Sequence, residues 1–151
     1  MKKKILLTAS FLGALSVLIG AMGAHLLEDY LVSVGRVDTF ETAVKYQFYH
    51  VFFLLSLASF LDFSQKNIIK YAFYCCLFGI LLFSGSLYLL CGTNNSIFGV
   101  ITPIGGVLLV ISWLLLFTAV IAISPIPGQV NIVSTKTEPL KKKVRPRVIP
   151  V

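Results

Sequence analysis

The chain has 151 residues, of which 57% are hydrophobic and 13% charged, about half the charged share of an ordinary soluble domain. From Tyr71 to Thr135 there is no Asp, Glu, Lys or Arg, which excludes a water-soluble surface over that stretch and makes lipid the expected solvent. The net charge of +7 does not point to nucleic acid, because the basic residues cluster at Lys2–Lys4, at Lys66 and Lys70, and between Lys136 and Arg147, the places where cytoplasmic segments of a membrane protein should fall.

A membrane-crossing helix needs about 20 apolar residues. The first candidate is 5–24, uncharged throughout. Within it Ala9, Gly13, Ser16, Gly20 and Gly23 recur at spacings of three and four. At helical periodicity they form one stripe along which a neighbouring helix can approach closely. Residues 1–24 also resemble a signal peptide, with Ala21-Met22-Gly23 as a small-residue cleavage site. The apolar run is longer than a signal peptide requires, which favours a retained span. From His25 to Val37, the residues Leu26, Leu27, Tyr30, Leu31 and Val34 predict a short amphipathic helix on the outer surface.

The second span is expected over 39–61, opened by a capping box in which Asp38 accepts from free backbone N–H groups and Glu41 reaches back. Ala43, Tyr46, Gln47, His50, Leu54 and Leu57 share one face, and Phe48, Phe52 and Leu55 the other. The polar face should point into the bundle, since an unpaired amide or imidazole in lipid costs several kcal/mol. The third span is expected over 71–90, with Cys75, Gly79, Leu82 and Ser86 on one face, followed by a turn over 92–96. The fourth is expected over 102–123, with Thr102 as N-cap and Pro103 at the first helical position. It closes before Ser124-Pro125-Ile126-Pro127-Gly128. Residues 125–151 are then expected to form a basic, disordered cytoplasmic tail.

The expected architecture is therefore all-α: a four-helix transmembrane bundle over residues 1–124, with both termini in the cytoplasm. That orientation puts only Arg36 and Lys45 among the Lys and Arg residues on the outer side. Glu28, Asp29, Asp38 and Glu41 make the same outer region net negative.

The motifs Gly20-Ala-Met-Gly-Ala-His25, Phe40-Glu-Thr-Ala-Val-Lys-Tyr-Gln-Phe-Tyr-His50, Gly79-Ile-Leu-Leu-Phe-Ser-Gly-Ser-Leu-Tyr88 and Ile101-Thr-Pro-Ile-Gly-Gly106 occur in this order, with Trp113 downstream. Together they resemble the small membrane-protein family labelled domain-of-unknown-function four-twenty-three (YgdD/YwdK-like). The resemblance covers about residues 4–122. It implies a four-helix fold in the bacterial inner membrane and brings no established activity.

His50 is the leading candidate for chemistry, because an ionisable side chain within a span is a functional hypothesis by default. A ligand pocket in the outer half of the membrane would combine His50, Gln47, Tyr46, Ser86 and Gly105. The competing reading is a neutral histidine bonded to Gln47, a tyrosine or Ser86. The N–H groups of a helix starting at Thr102 offer a possible anion contact. Trp113 sits deep enough in the fourth span that its N–H needs a partner. His25 lies away from the small-residue stripe, at the outer end of the first span.

No Ser-His-Asp set, Walker loop or paired carboxylate falls within the spans. Cys75, Cys76 and Cys91 have no metal-ligand spacing, and no metal or cofactor is expected. The expected function is a non-enzymatic accessory or interaction protein contacting membrane lipid and a membrane-protein partner or further copies of itself. The alternative is an oligomeric transporter or small-ligand-binding protein.

Overall fold

The computed structural model describes residues 1–62 and 64–123, and the expected tail over 125–151 lies outside the described residues. Five helices follow in order: α1 (Lys2–His25), α2 (Glu28–Ser33), α3 (Val37–Phe60), α4 (Lys66–Thr93) and α5 (Ile97–Ile121). Every regular element among the described residues is helical. Three helices, α1, α4 and α5, are long and apolar enough to cross a membrane by length and composition. The fourth long helix, α3, spans 24 residues but carries Asp38, Glu41 and Lys45 near its start.

The long helices run up, down, up and down in the spatial order α1, α3, α4, α5, with α4 and α5 in the most extensive contact. The core runs continuously through all four. Ile5, Ala9 and Leu12 of α1 meet Val51, Phe53, Leu54 and Leu57 of α3, and the same core includes Ile69, Ala72, Cys76 and Ile80 of α4 with Leu109, Leu116 and Ala119 of α5. Large apolar side chains face outward on every long helix, among them Phe11, Leu18, Phe52, Phe78, Val107 and Leu114. An exposed apolar surface of this extent requires an apolar surrounding.

Three helix starts differ from the sequence expectation; α4 begins at Lys66, five residues before Tyr71. The capping box does not form. The residue capping α3 is Arg36, with no side-chain cap, while Glu41 binds Lys45 at 2.7 Å. The cause lies upstream. Gly35 has φ of 65°, its N–H donates to the Val32 carbonyl, and the Arg36 N–H donates to the Leu31 carbonyl at 2.8 Å. This Schellman arrangement ends α2 tightly, so α3 begins at Val37 and Asp38 falls inside its first turn. Helix α5 likewise starts five residues before Thr102, and Pro103 lies inside it. Here Asn94 takes the left-handed conformation at φ 49° and closes α4. The Asn95 side-chain oxygen then accepts the Ile97 N–H at 3.1 Å and opens α5. Thr102 therefore donates to the Phe98 carbonyl within a helix, and it presents no free helix terminus to an anion.

Between α1 and α3, α2 is a single six-residue helix. Leu31 is buried from it against Phe40 and Cys91. The Tyr30 hydroxyl donates to the Gly92 carbonyl at 3.0 Å, joining α2 to the end of α4.

Candidate functional site

The small-residue stripe of α1 faces α3. Ala9 and Ser16 are fully buried. A Cβ added at Gly13 or Gly20 would sit 3.4 Å from Val51 or Val44 respectively, and one added at Gly23 would enter the ring of Phe40. Ser16 donates to the Leu12 carbonyl at 2.8 Å. All five residues thus lie along the α1–α3 seam, where missing side chains let the backbones approach.

On α3, Ala43, Gln47, His50, Leu54 and Leu57 are buried, and Phe48, Phe52 and Leu55 are exposed. The two faces are those expected from periodicity. Tyr46 is the exception, at 43% exposure. Its ring packs beside Phe83 of α4 at 4.8 Å between centroids.

Three of the buried polar side chains, Gln47, His50 and Ser86, bond across helices, while Ser16 and Ser112 bond carbonyls of their own helix. Gln47 donates through Nε2 to the Leu12 carbonyl of α1 at 3.2 Å, and accepts at Oε1 from the Tyr88 hydroxyl of α4 at 3.1 Å. One amide therefore ties three helices. His50 lies about 20 Å down a helix of about 36 Å. Its Nδ1 is 2.7 Å from the Tyr46 carbonyl. A carbonyl only accepts, so Nδ1 carries the proton. Its Nε2 accepts the indole N–H of Trp113 on α5 at 3.3 Å. That pair of bonds defines the neutral Nδ1–H tautomer. His50 is thus a neutral histidine, as in the competing reading, but its partners are Tyr46's backbone and Trp113 rather than Gln47, a tyrosine hydroxyl or Ser86. Half the surface of Trp113 is exposed, so the ring covers the outside of the bundle while its N–H points inward.

Ser86 sits 2.8 Å from the Thr102 hydroxyl across α4 and α5. At Gly105 these two helices approach closely: a Cβ there would lie 2.7 Å from the Leu82 carbonyl carbon and 2.8 Å from the Phe83 Cα. The five residues named for a ligand pocket therefore fall into three groups. Tyr46 and His50 are stacked on each other, Gln47 bridges α1 and α4, and Ser86 and Gly105 lie in the α4–α5 seam. His25 is separate from all of them, exposed at the end of α1.

One buried polar atom departs from this pattern. Ser84 is 1% exposed, and its hydroxyl has no hydrogen-bond partner.

A hollow of about 300 Å³ opens elsewhere, between α1, α2 and α3. Gly20, Gly23, Ala24, Leu31, Val37, Phe40 and Val44 form its apolar wall, and Glu28, Glu41 and Lys45 its polar part. A second hollow of similar volume adjoins it, sharing Gly20, Val44 and Lys45 and continuing to Val17, Ala21, Phe48 and Tyr49. Sequence reasoning placed the acidic residues on the outer side but did not connect them to a cavity. The available signal was the Glu41–Lys45 spacing facing Gly20 and Gly23 of the stripe. Among the described residues, no three His, Cys, Asp or Glu side chains cluster closely enough to hold a metal ion.

The profile of the family described as "Protein of unknown function (DUF423)" matches residues 19–106, from the upper part of α1 to the α4–α5 contact. A UPF0382 membrane protein of Staphylococcus epidermidis is 45% identical over 112 residues, covering 72% of this chain and 90% of its own length. The UPF0382 membrane protein YwdK of Bacillus subtilis is 39% identical over 115 residues, covering 73% of this chain and 93% of its own. The UPF0382 inner membrane protein YgdD of Escherichia coli is 32% identical over 120 residues, covering 78% and 88%. No solved structure matches the chain. The matched region contains the glycine-lined seams, Gln47, His50 and both faces of α3, and with these relatives it shows that the chain belongs to the DUF423 family of membrane proteins.

Proposed function

We propose that the chain crosses the bacterial inner membrane four times, with both ends in the cytoplasm, and acts there as a non-enzymatic accessory or interaction protein. The name of the Escherichia coli relative supports the compartment. The fourth crossing is α3. Its charged residues end at Lys45, and Tyr46–Phe60 is uncharged and tied into the bundle by Gln47 and His50. The orientation rests on the distribution of Lys and Arg, and it puts α2 on the outer surface.

One observation carries the accessory reading: Gln47, His50, Ser86, Tyr88, Thr102 and Trp113 bond to each other or to backbone across helices. Such groups hold helices together. The exposed apolar surface of α1 and α5 then offers a face to another membrane protein. Crosslinking in intact membranes, followed by purification in mild detergent, should recover one specific membrane protein in fixed ratio to the chain. Recovery of the chain with only lipid and copies of itself would overturn the accessory reading.

The second reading is small-ligand binding or transport in the outer half of the membrane. Four helices are few for alternating access, so transport would require an oligomer. The hollow between α1, α2 and α3 favours this reading. It lies at the outer level in the proposed orientation, and it combines an apolar wall with three charged side chains.

A further inference from the structure

We propose that the paired hollows between α1, α2 and α3 form a binding groove for one phospholipid whose headgroup carries a primary ammonium beside its phosphate, of the phosphatidylethanolamine type. The inference rests on the second reading above, that this groove takes a small ligand.

The groove has the shape such a molecule requires. The two hollows share Gly20, Val44 and Lys45 and so form one channel along the α1–α3 seam. From Glu41 to Phe48 it runs about 10 Å along α3. At its upper end the lining is polar, with Glu28, Glu41 and Lys45. Below, it continues to Val17, Ala21, Val44, Phe48 and Tyr49. That gradient, from charged to apolar along a helix axis, matches a headgroup above an acyl chain. Glycine at positions 20 and 23 makes the α1 wall concave.

The charge selects the headgroup. Glu41 holds Lys45 at 2.7 Å. Glu28 has no ionic partner among the described residues. Two carboxylates against one ammonium leave the mouth with one excess negative charge. A headgroup with phosphate alone would face that excess and be repelled. One with both groups places its ammonium between Glu28 and Glu41 and its phosphate on Lys45. A primary ammonium also has three N–H donors, which the carboxylates accept as charge-assisted hydrogen bonds. The Lys45 side chain is over half exposed, so its ammonium can extend toward the phosphate level from within the span. A helix from a partner protein would fill the apolar half but leave Glu28 without a match.

The test is lipid retention, read by native mass spectrometry on the full-length protein after exchange into mixed micelles. These contain equal parts of phosphatidylethanolamine, phosphatidylglycerol and phosphatidylcholine. The wild type should retain one phosphatidylethanolamine, in roughly tenfold preference over phosphatidylglycerol. Glu28→Gln should remove most of that preference. Ala24→Phe, which fills the groove from an exposed position, should abolish retention while the helix content by circular dichroism stays unchanged. Equal retention of all three lipids, or a preference that survives Glu28→Gln, overturns the lipid assignment. Retention of some other small molecule, lost in Ala24→Phe, overturns the lipid assignment and leaves the groove as a ligand site. A retained species indifferent to Ala24→Phe overturns both.

Discussion

Replacing Gly105 with alanine tests how α4 and α5 are held together. A methyl at this position would meet Leu82 and Phe83 backbone atoms at 2.7 and 2.8 Å, with the Phe83 nitrogen closer still. Backbone inside a helix cannot rotate aside, so the two helices must separate. Overpacking of this kind costs about 1–3 kcal/mol. Separation also stretches the Ser86–Thr102 contact, now 2.8 Å, which adds about 0.6 kcal/mol for a typical hydrogen bond within a membrane. Against this, any glycine replaced by alanine within a helix gains about 1 kcal/mol of helix propensity. Gly85→Ala supplies the control. It lies in the same helix as Leu82 and Phe83, and a Cβ there meets nothing within 4 Å, so it receives the propensity gain alone. The expected result is that Gly105→Ala is less stable than Gly85→Ala by about 2–4 kcal/mol. Trp113 is the one tryptophan and lies in α5, so its fluorescence during titration with a denaturing detergent reports the loss of this packing. Equal midpoints for the two variants would refute the close α4–α5 approach.

Ser84→Ala should leave stability unchanged or raise it by about 1 kcal/mol, because it removes a buried hydroxyl with no partner; the same titration measures it. Gln47→Leu should destabilise the bundle more than Tyr88→Phe does, since Gln47 bonds both Leu12 and Tyr88. A double-mutant cycle on the pair should give a coupling of about 0.6 kcal/mol. His50→Leu should shift the Trp113 emission, because the indole N–H loses its acceptor. An unchanged spectrum would place that N–H elsewhere.

Much of the architecture was legible because membrane helices declare themselves in two ways. Apolar length marks a span, and small or polar residues at helical spacing mark the face that meets protein. Both signals worked on α1, where Ala9, Gly13, Ser16, Gly20 and Gly23 line the seam with α3; on α3 the second did, where Gln47 and His50 point inward. Helix starts were less legible because alternative local signals competed. Thr102-Pro103 has the form of a start, yet Asn95 provides the side-chain acceptor earlier, and a proline within an apolar helix is tolerated where neighbouring helices support it. Asp38 and Glu41 have the spacing of a capping box, but the turn at Gly35 had already set where α3 begins.

The candidate site was half legible for a related reason. Periodicity identifies which residues face inward, not which of them meet. The partnership of His50 with Trp113 joins residues 63 positions apart, and no local pattern records it. The groove was least visible, since a cavity is defined by side chains that are missing. Gly20 and Gly23 have the spacing of close-packing positions, and they are also the wall of the hollow.

The lipid groove and the partner face both require the chain to thread the bilayer an even number of times. Topology reporters fused separately to the N-terminus and the C-terminus test this directly. Cytoplasmic signal from both fusions is the predicted result. Signal from opposite faces would contradict the four-crossing account, because α3 would then not traverse the membrane.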